Sequence, residues 1–198
     1  MRHFILFSRT GWTRGNFIDP KKAGRLDIVI HCLQAALSLS GRIRKDVVFH
    51  AILGGPPRPP VHLEFVGSKL KDFRSDEKEL TKLLRKVLNV KKISERIEVV
   101  DGVFVEKKSL QKVVVELFNK GVGIFVLRED GISMRKIKLE ERDKCFVLGD
   151  FIGLPKKDEN FILRYAKNVV SVGPLPYFAS HTIVVVNNEL DNLEYGIT

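Results

Sequence analysis

The sequence predicts an α/β fold in which a largely parallel sheet is flanked by helices. Short apolar runs with strand character alternate along the chain with segments whose apolar residues recur at helical spacing. Such alternation is typical of parallel strands joined by crossover helices. A length of 198 residues, a hydrophobic fraction of 44% and the lack of a linker-like segment favour a single domain over residues 1–198.

The chain begins with a strand, a basic loop and a helix. The run RHFILFS predicts a strand over residues 2–8, and the segment Arg9–Lys22, rich in Gly, Thr, Arg and Lys, predicts a loop. Apolar residues at helical spacing predict a helix over residues 26–40, which Gly41 can terminate.

Two strands joined by a proline-rich turn follow. VVFHAIL (47–53) is a buried type of strand, and VHLEFVG (61–67) alternates between two faces. The intervening GGPPRPP cannot continue a strand because proline lacks the N–H that a sheet requires. A β-hairpin or β-arch is therefore expected over residues 47–67.

The remaining elements are assigned from caps, turns and apolar runs. The pattern predicts a helix capped by Ser75 and ending at Asn89, then a strand over 97–107 with a turn at Asp101-Gly102. A second helix is capped by Ser109 and closed by Gly121, and a strand over 124–129 with a turn at Asp130-Gly131 follows it. The last predicted elements are a strand over 144–150, a helix over 158–168 and a strand over 169–173. The last 25 residues are ambiguous, and the β-branched run TIVVV favours a strand by propensity alone.

The formal net charge of +10 is concentrated in the first third of the chain. Residues 1–60 hold ten Lys or Arg against three Asp or Glu, whereas residues 121–198 hold ten against eleven. Clustered basic residues are typical of nucleic-acid binders. Residues 61–120 hold fourteen against ten, interleaved in a way that also fits the ion-pair networks of thermostable proteins.

Composition and motifs exclude several classes of protein. No run approaches the roughly 20 apolar residues of a membrane span, and the N-terminus lacks a signal-peptide cleavage site, so a cytoplasmic protein is expected. Cys32 and Cys145 lie in separate apolar stretches and are expected to be reduced and buried, with no metal-ligand spacing. The phosphate-binding loop, the dinucleotide-binding glycine pattern, the serine-hydrolase elbow and zinc clusters are all missing.

Two glycine-bearing loops follow apolar strands in the last third, at FVLGDFIGLP (146–155) and VVSVGPLPYFASHT (169–182). In α/β sheets, ligands bind beyond the carboxyl ends of strands, where glycine lets a flat ligand approach the backbone. The apolar lining and acidic charge suit an adenosine that bears a sulfonium cation better than they suit ATP. Two tight turns with only a conformational role would use the same residues.

Five stretches carry a resemblance to a known family. They are AGRLDIVIHCLQAALSLS (23–40), I-R-x-D-V-V (43–48), GGPPRPPVHLEFVGSKL (54–70), G-D-x-I-G (149–153) and GPLPYFASHTI-V-NNELD (173–191). Their order and content are similar to the archaeal tRNA pseudouridine(54) N1-methyltransferases, and together they span essentially the whole chain.

This resemblance implies a fold, a cofactor and an assembly. The fold is a SPOUT-type α/β trefoil knot, with a basic RNA-facing part over residues 1–70, a knotted cofactor-binding part over about 121–198 and a C-terminal helix. The cofactor is S-adenosylmethionine, and the enzyme is a homodimer with its active site near the subunit interface; no metal is implied. The implied cofactor contacts are Leu127, Gly149, Val172, Gly173, Pro174, Leu175, Pro176, Tyr177 and Thr182.

The chain departs from the family pattern at two positions. Phe151 replaces a histidine after the Gly-Asp pair, and Thr182 replaces a cysteine. Threonine is nearly isosteric with cysteine, so the pocket is expected to keep its shape, but a nucleophilic thiol at this position is excluded. Direct methylation of a nitrogen requires no covalent enzyme intermediate.

Catalysis requires removal of the proton on N1 of pseudouridine, for which a carboxylate is suited. Asp19 in the basic loop is the first candidate and Asp27 the second, although Asp19 before Pro20 also fits a turn. Of the five scattered histidines, only His181 lies close to a predicted cofactor loop.

The expected tRNA contacts lie in the basic N-terminal part. Arginine can bond two phosphate oxygens at once, and tryptophan can stack on an exposed base. Trp12 also fits a packing role at a dimer interface, and Arg25 and Arg44 also fit ion pairs with Asp27 and Asp46. The candidates are Arg9, Trp12, Arg14, Arg25, Arg42 and Arg44.

The expected function is S-adenosylmethionine-dependent N1-methylation of pseudouridine 54 in the T-arm of tRNA. Two alternatives remain open at the level of sequence. One is methylation of pseudouridine in ribosomal RNA, and the other is a non-catalytic RNA-binding or ribosome-assembly protein built on the same knot.

Overall fold

The computed structural model describes residues 1–197, which form one eight-stranded sheet, one two-stranded hairpin and five α-helices. The strands are β1 (Arg2–Ser8), β2 (Ser38–Leu39), β3 (Arg42–Ile43), β4 (Val47–Leu53), β5 (Val61–Val66), β6 (Ile97–Val100), β7 (Val103–Glu106), β8 (Gly123–Ser133), β9 (Lys144–Gly149) and β10 (Ala166–Ser171). The helices are α1 (Leu26–Leu37), α2 (Glu77–Leu88), α3 (Leu110–Asn119), α4 (Lys156–Leu163) and α5 (Ala179–Tyr195), with single 3₁₀ turns at Pro20–Lys22 and Met134–Lys136.

The large sheet has the order β10-β8-β9-β1-β4-β5-β7-β6. Its first five strands are parallel, whereas β5, β7 and β6 add by antiparallel pairing. Strands β1 and β4 lie in the middle and are largely buried on both faces, as expected for a sheet covered on both sides. The prediction of an α/β fold with a mostly parallel sheet is confirmed.

Helices cover the two faces of the sheet unequally. Apolar residues of α1, α2 and α5 pack into one core cluster on the first face, and those of α3 and α4 pack into a second cluster on the other. The connection from β8 to β9 runs on the α5 side, because Met134 is buried in the first cluster and Arg135 pairs with Glu189 of α5 at 2.6 Å.

Helix α5 forms despite its β-branched residues. Ile183, Val186 and Leu190 recur at helical spacing and are buried against the first face of the sheet. The Asn187 amide donates to the carbonyls of Ala35 and Ala36 at the end of α1, at 3.2 and 3.3 Å. The strand favoured by propensity is therefore wrong, and the C-terminal helix implied by the family resemblance is confirmed.

Ion pairs tie α5 to the start of the chain. The Asp191 carboxylate accepts from Arg2 at 2.6 Å and from both terminal nitrogens of Arg44 at 2.8 and 2.5 Å. Arg2 also pairs with Asp46 and Glu194. The guanidinium groups of Arg2 and Arg44 are nearly buried, so α5 is held by charges that lie largely out of solvent.

A row of polar side chains, buried except for the partly buried first member, crosses β1, β4, β5 and β7. His3 Nδ1 lies 3.1 Å from His50 Nε2, His50 Nδ1 lies 3.0 Å from His62 Nε2, and His62 Nδ1 lies 2.9 Å from Glu106 Oε1. Burial lowers the pKa of His3 to about 4 and that of His50 well below its usual value. We call these four residues the histidine row; it is a hydrogen-bonded part of the core that ends on the carboxylate of Glu106.

Several element boundaries differ from the sequence prediction. The turn expected at Asp130-Gly131 lies within the bounds of β8, where residues 127–131 bulge out of the pairing with β10, since Val169 pairs with Val126 and Val170 with Ile132. Gly131 lets the backbone of Val170 approach closely. The helix expected over 158–168 runs over 156–163, since the following residues pair with β8 as strand β10.

The N-cap of α2 and the end of α1 also differ from the sequence prediction. Asp76, not Ser75, caps α2 by accepting from the backbone N–H of Glu79 at 2.9 Å. Helix α1 ends at Leu37, and the chain then turns through Gly41 in the short β2–β3 hairpin. The 47–67 hairpin and the turn at Asp101-Gly102 are confirmed.

Candidate active site

A cavity of about 1270 Å³ opens where β9 and β10 end, beside α1. Its wall combines the middle of β8, the β9–α4 loop, the β10–α5 loop and the first turn of α5. The carboxyl ends of parallel strands are the usual ligand site of such sheets. The wall residues are Lys21, Arg25, Asp27, Ile28, His31, Gln34, Ala35, Leu127–Glu129, Leu148–Leu154, Glu159, Val170–Gly173, Leu175–Thr182 and Val184.

The β9–α4 loop is a tight turn built on two glycines. A Cβ on Gly149 would lie 2.4 Å from the carbonyl carbon of Gly153, so a side chain at this position would push against backbone. Gly153 itself has φ +80°, which glycine adopts without strain. The two glycines therefore allow the loop to close tightly on its own backbone at the cavity wall.

Asp150 holds this loop against the end of β1. Its carboxylate accepts from the backbone N–H groups of Arg9 at 2.8 Å and Ile152 at 3.0 Å, and the residue is almost fully buried. Burial raises the pKa of Asp150 above its usual value, partly opposed by these bonds and by the charge of Arg9. The buried carboxylate thus contributes negative potential to the cavity wall.

The β10–α5 loop closes the opposite side. The Ser171 hydroxyl donates to the carbonyl of Gly173 at 2.7 Å, which bends the chain immediately after the strand. A Cβ on Gly173 would lie 2.8 Å from the ring of Tyr177, so the ring lies over the glycine backbone. This side of the cavity is therefore formed by the tightly bent loop, with the Tyr177 ring packed on Gly173.

The third side is the start of α1. Arg25 adopts a left-handed conformation, with φ 64°, and its guanidinium binds both oxygens of the buried Asp27 at 3.0 to 3.3 Å. The same guanidinium lies 5.2 Å from the ring centroid of Phe151. The ion pair proposed from sequence for Arg25 and Asp27 is present, and it forms part of the wall.

The predicted cofactor residues converge on this cavity. Eight of the nine line it, and the ninth, Pro174, lies outside the wall. Their contact with a cofactor stays a prediction. His181, singled out among the histidines, also lines the cavity, with its ring 5.4 Å from that of Phe178.

The candidate catalytic residue Asp19 lies outside the wall. Its carboxylate caps the 3₁₀ turn by accepting from the backbone N–H of Lys21 at 2.9 Å, which is the turn role considered from sequence. The second candidate, Asp27, faces the cavity with both oxygens held by Arg25. A catalytic role for either residue stays a prediction.

The candidate RNA-contact residues do not form one group. Arg9, Arg14 and Arg42 are exposed, and the Arg14 guanidinium lies 4.6 Å above the ring of Trp12. Arg44 is nearly buried in its ion pair with Asp191, not with Asp46 as considered from sequence. Its side chain is therefore part of the ion-pair cluster of Arg2, Arg44 and Asp191 that holds α5, which we call the α5 anchor.

Two features of the site were not predicted from the sequence. The first is Asp150, which lies inside the G-D-x-I-G stretch, where the aspartate itself was the available signal. The second feature is a rim of exposed apolar side chains around the cavity, which no sequence pattern reveals because the residues come from three segments. The rim comprises Phe151, Ile152, Leu175, Tyr177, Phe178 and Val184, each between 43% and 76% exposed.

Two features that proteins of other classes use are missing from residues 1–197. None of their helices is long and apolar enough to cross a membrane. The same residues contain no group of three or more His, Cys, Asp or Glu side chains arranged to hold a metal ion.

Comparison with known proteins identifies the family. A family model described as "Putative SAM-dependent RNA methyltransferase" matches residues 1–195. The tRNA (pseudouridine(54)-N(1))-methyltransferase of Methanococcus maripaludis strain C5 is 33% identical over 98% of this chain and 100% of its own length. The enzyme of the same name from Methanocaldococcus jannaschii is 34% identical over 96% of this chain and 97% of its own length.

A solved structure supports the fold. The crystal structure of Archaeoglobus fulgidus Nep1 bound to S-adenosylhomocysteine superposes with a TM-score of 0.60 at 18% identity, over 91% of this chain and 76% of that one. At this identity the likeness concerns the fold. With its trefoil-knotted SPOUT fold, the chain belongs to the family of S-adenosylmethionine-dependent RNA methyltransferases that includes the archaeal tRNA (pseudouridine(54)-N(1))-methyltransferases.

Proposed function

We propose that this chain transfers a methyl group from S-adenosylmethionine to N1 of pseudouridine 54 in the T-arm of tRNA. It does so in the cytoplasm, as a homodimer of single-domain subunits. The observation that carries the proposal is the joining of eight predicted cofactor residues in one cavity of a chain whose relatives, at 33–34% identity over nearly their full length, carry that name.

The cavity suits S-adenosylmethionine on three counts. Gly149, Gly153 and Gly173 bring two loop backbones to the cavity wall, where N–H and C=O groups can bond an adenine ring. The middle of β8, at Leu127, adds an apolar wall. The buried carboxylate of Asp150, which has no cationic side chain of residues 1–197 paired with it, adds negative charge that favours a sulfonium cation, whereas Asp27 is neutralised by Arg25.

When bound, S-adenosylmethionine supplies an electrophilic methyl group. The N1 electron pair of pseudouridine forms the new N–C bond while the C–S bond breaks, its electron pair going to sulfur. The N1 proton must leave, and we propose a carboxylate as its acceptor: Asp27, which faces the cavity, before Asp19, which lies outside the cavity wall. Alignment of the two reacting atoms by the cavity wall supplies a large part of the acceleration.

The exposed apolar rim supports the homodimer. Phe151, Leu175 and Phe178 expose 58%, 62% and 76% of their surface around the mouth of the cavity. A contiguous apolar patch of this kind is typical of a protein interface. A second copy of the chain placed on the rim would cover it and complete the site at the subunit boundary.

The T-arm would then reach the cavity past the basic N-terminal residues. Exposed Arg9, Arg14 and Arg42 are proposed to bind phosphates, and Trp12 to stack on a base or pack against the partner subunit. Arg25 borders the cavity itself and is proposed to bind near the target nucleotide.

The decisive experiment compares two versions of one tRNA as methyl acceptors from labelled S-adenosylmethionine. One version carries pseudouridine at position 54 and the other carries uridine. Methyl transfer to the pseudouridine form alone, with the mass of one methyl group on that base, is expected because uridine has no N1 proton to replace.

Other outcomes would contradict the proposal in distinct ways. Transfer to a pseudouridine-containing ribosomal RNA fragment but not to tRNA would move the activity to the ribosomal substrate. Cofactor and RNA binding without transfer to any pseudouridine would favour a non-catalytic RNA-binding protein. A monomer in sedimentation at micromolar concentration would contradict the homodimer separately from the activity.

A further inference from the structure

The second half of α2 and the residues after it form a basic stretch that the site does not use. From Leu80 to Ser94 the chain holds five Lys or Arg residues and no Asp or Glu. Lys82 pairs with Glu79, at 2.6 Å. The other four are exposed and make no ion pair with residues 1–197: Arg85, Lys86, Lys91 and Lys92.

The basic N-terminal loop is fastened to this stretch. The Arg58 guanidinium donates to the carbonyl of Thr13 at 3.1 Å and also to those of Leu88 at 3.1 Å and Val90 at 3.2 Å. A Cβ on Gly15 would lie 2.1 Å from the carbonyl oxygen of Arg85, so the loop lies directly against α2. Trp12 and Arg14 are therefore held beside the end of the helix.

The other side of the same loop is fastened to the cavity wall. The backbone N–H of Trp12 donates to the carbonyl of Ala23 at 3.1 Å, and the Thr10 hydroxyl donates to that of Gly24 at 3.0 Å. Lys21 and Arg25, which flank these carbonyls in sequence, line the cavity. Positive charge thus runs from the cavity through the loop to the end of α2.

Stability of α2 accounts for only part of this charge. Arg85 and Lys86 lie in the last turn, where cations favour the helix dipole by about 0.3–1 kcal/mol each. Lys91 and Lys92 lie beyond the helix, and Arg58 already binds the carbonyl of Leu88 at its end. Four unpaired exposed cations beside an aromatic ring point instead to an anionic partner.

We propose that these residues form a track for the phosphodiester backbone of the RNA substrate, outside the target nucleotide. The basic track comprises Arg14, Arg85, Lys86, Lys91 and Lys92, with Trp12 as a stacking surface. The proposal rests on the proposed function, since RNA whose target base enters the cavity would continue over the loop and α2. Exposed cations close to an aromatic ring are typical of RNA-binding surfaces.

The test is the salt dependence of tRNA binding by the full-length protein. In R85Q/K86Q/K91Q/K92Q, each lost phosphate contact should lower the slope of log K against log salt by about 0.7–0.9. The wild-type affinity should therefore fall roughly 50- to 150-fold more than that of the variant when salt rises fourfold. The KM for tRNA should rise while the kcat and the affinity for S-adenosylmethionine stay the same.

A matched control separates the track from total charge. K91Q/K92Q and K112Q/K120Q remove two charges each, but Lys112 and Lys120 lie on or just after α3, which covers the opposite face of the sheet. Only the first pair should change the slope. An unchanged slope in the quadruple variant, or equal changes in the two pairs, would overturn the proposal.

The design also distinguishes the two proposals from one another. Binding of tRNA is measured directly, so the track is tested even if no methyl group is transferred. The expected slope change in the quadruple variant, with no methyl transfer by the wild-type protein, would contradict the proposed function and leave the track in place. Methyl transfer to tRNA with an unchanged salt slope would contradict the basic track and leave the proposed function in place.

Discussion

Replacing Asp191 by asparagine should destabilise the protein by loosening α5. The asparagine keeps the size of the side chain but removes the charge that balances Arg2 and Arg44, and it directs an amide N–H toward a guanidinium. The two guanidinium side chains are only 8% and 11% exposed, so water compensates little for the lost partner.

The size of the effect follows from this burial. Removing one partner of a fully buried ion pair costs about 3–5 kcal/mol. Asp191 is 29% exposed and Arg2 keeps Asp46 and Glu194, so we expect a loss of about 2–4 kcal/mol in the free energy of unfolding. Burial alone would raise the pKa of Asp191, but the bonds from Arg44 and Arg2 outweigh it and lower the pKa. The carboxylate therefore stabilises the fold at neutral pH, and its contribution is lost as the pH falls below about 4.

The assay is urea unfolding at pH 7 and fixed protein concentration, with E189Q as the control. Glu189 lies on the same helix and binds Arg135 at 2.6 Å, but Arg135 is 77% exposed, so its loss should cost less than about 1 kcal/mol. Hydrogen exchange of the α5 amides should accelerate in D191N. Equal losses in the two variants, or a loss below 1 kcal/mol in D191N, would refute the idea that buried charge anchors α5.

Three further predictions concern the cavity and the core. G149A should weaken S-adenosylmethionine binding at least tenfold by calorimetry, because the new Cβ would lie 2.4 Å from the Gly153 backbone; an unchanged Kd would show that the loop can shift freely. D150N should also weaken cofactor binding, since the backbone N–H of Arg9 or Ile152 loses a charged acceptor; retention of both affinity and activity would count against its positioning role. The free energy of unfolding should fall as the pH drops from 6.5 to 4, because His3 of the histidine row binds a proton more readily in the unfolded chain; its share of the loss is about 3 kcal/mol. A urea midpoint that stays constant from pH 7 to 4.5 would contradict this.

Local patterns were enough to identify most of the sheet. Apolar runs located β1, β4, β5 and β9, and the cap at Ser109 located α3, because these signals depend on neighbouring residues only. The glycine-bearing loops after β9 and β10 were also visible in the sequence as the place where a ligand would bind, and the structure joins them in one cavity.

Long-range contacts decided the rest. The β-branched run in α5 is helical because Ile183, Val186 and Leu190 find a core and Asn187 finds the end of α1, which propensity cannot express. Residues 166–168 leave the predicted helix and join the strand because β8 offers an edge to pair with.

The same distinction applies to the charged residues. Sequence alone established that the first third of the chain is basic, but not which of its arginines remain free. Arg44 lies in the α5 anchor because Asp191, 147 positions away, folds back onto it, whereas exposed Arg14 lies beside α2 because Arg58 fastens its loop there. Composition determines that positive charge is present, and only the tertiary structure determines which charges are paired, since pairing depends on residues that are distant in sequence and adjacent in space.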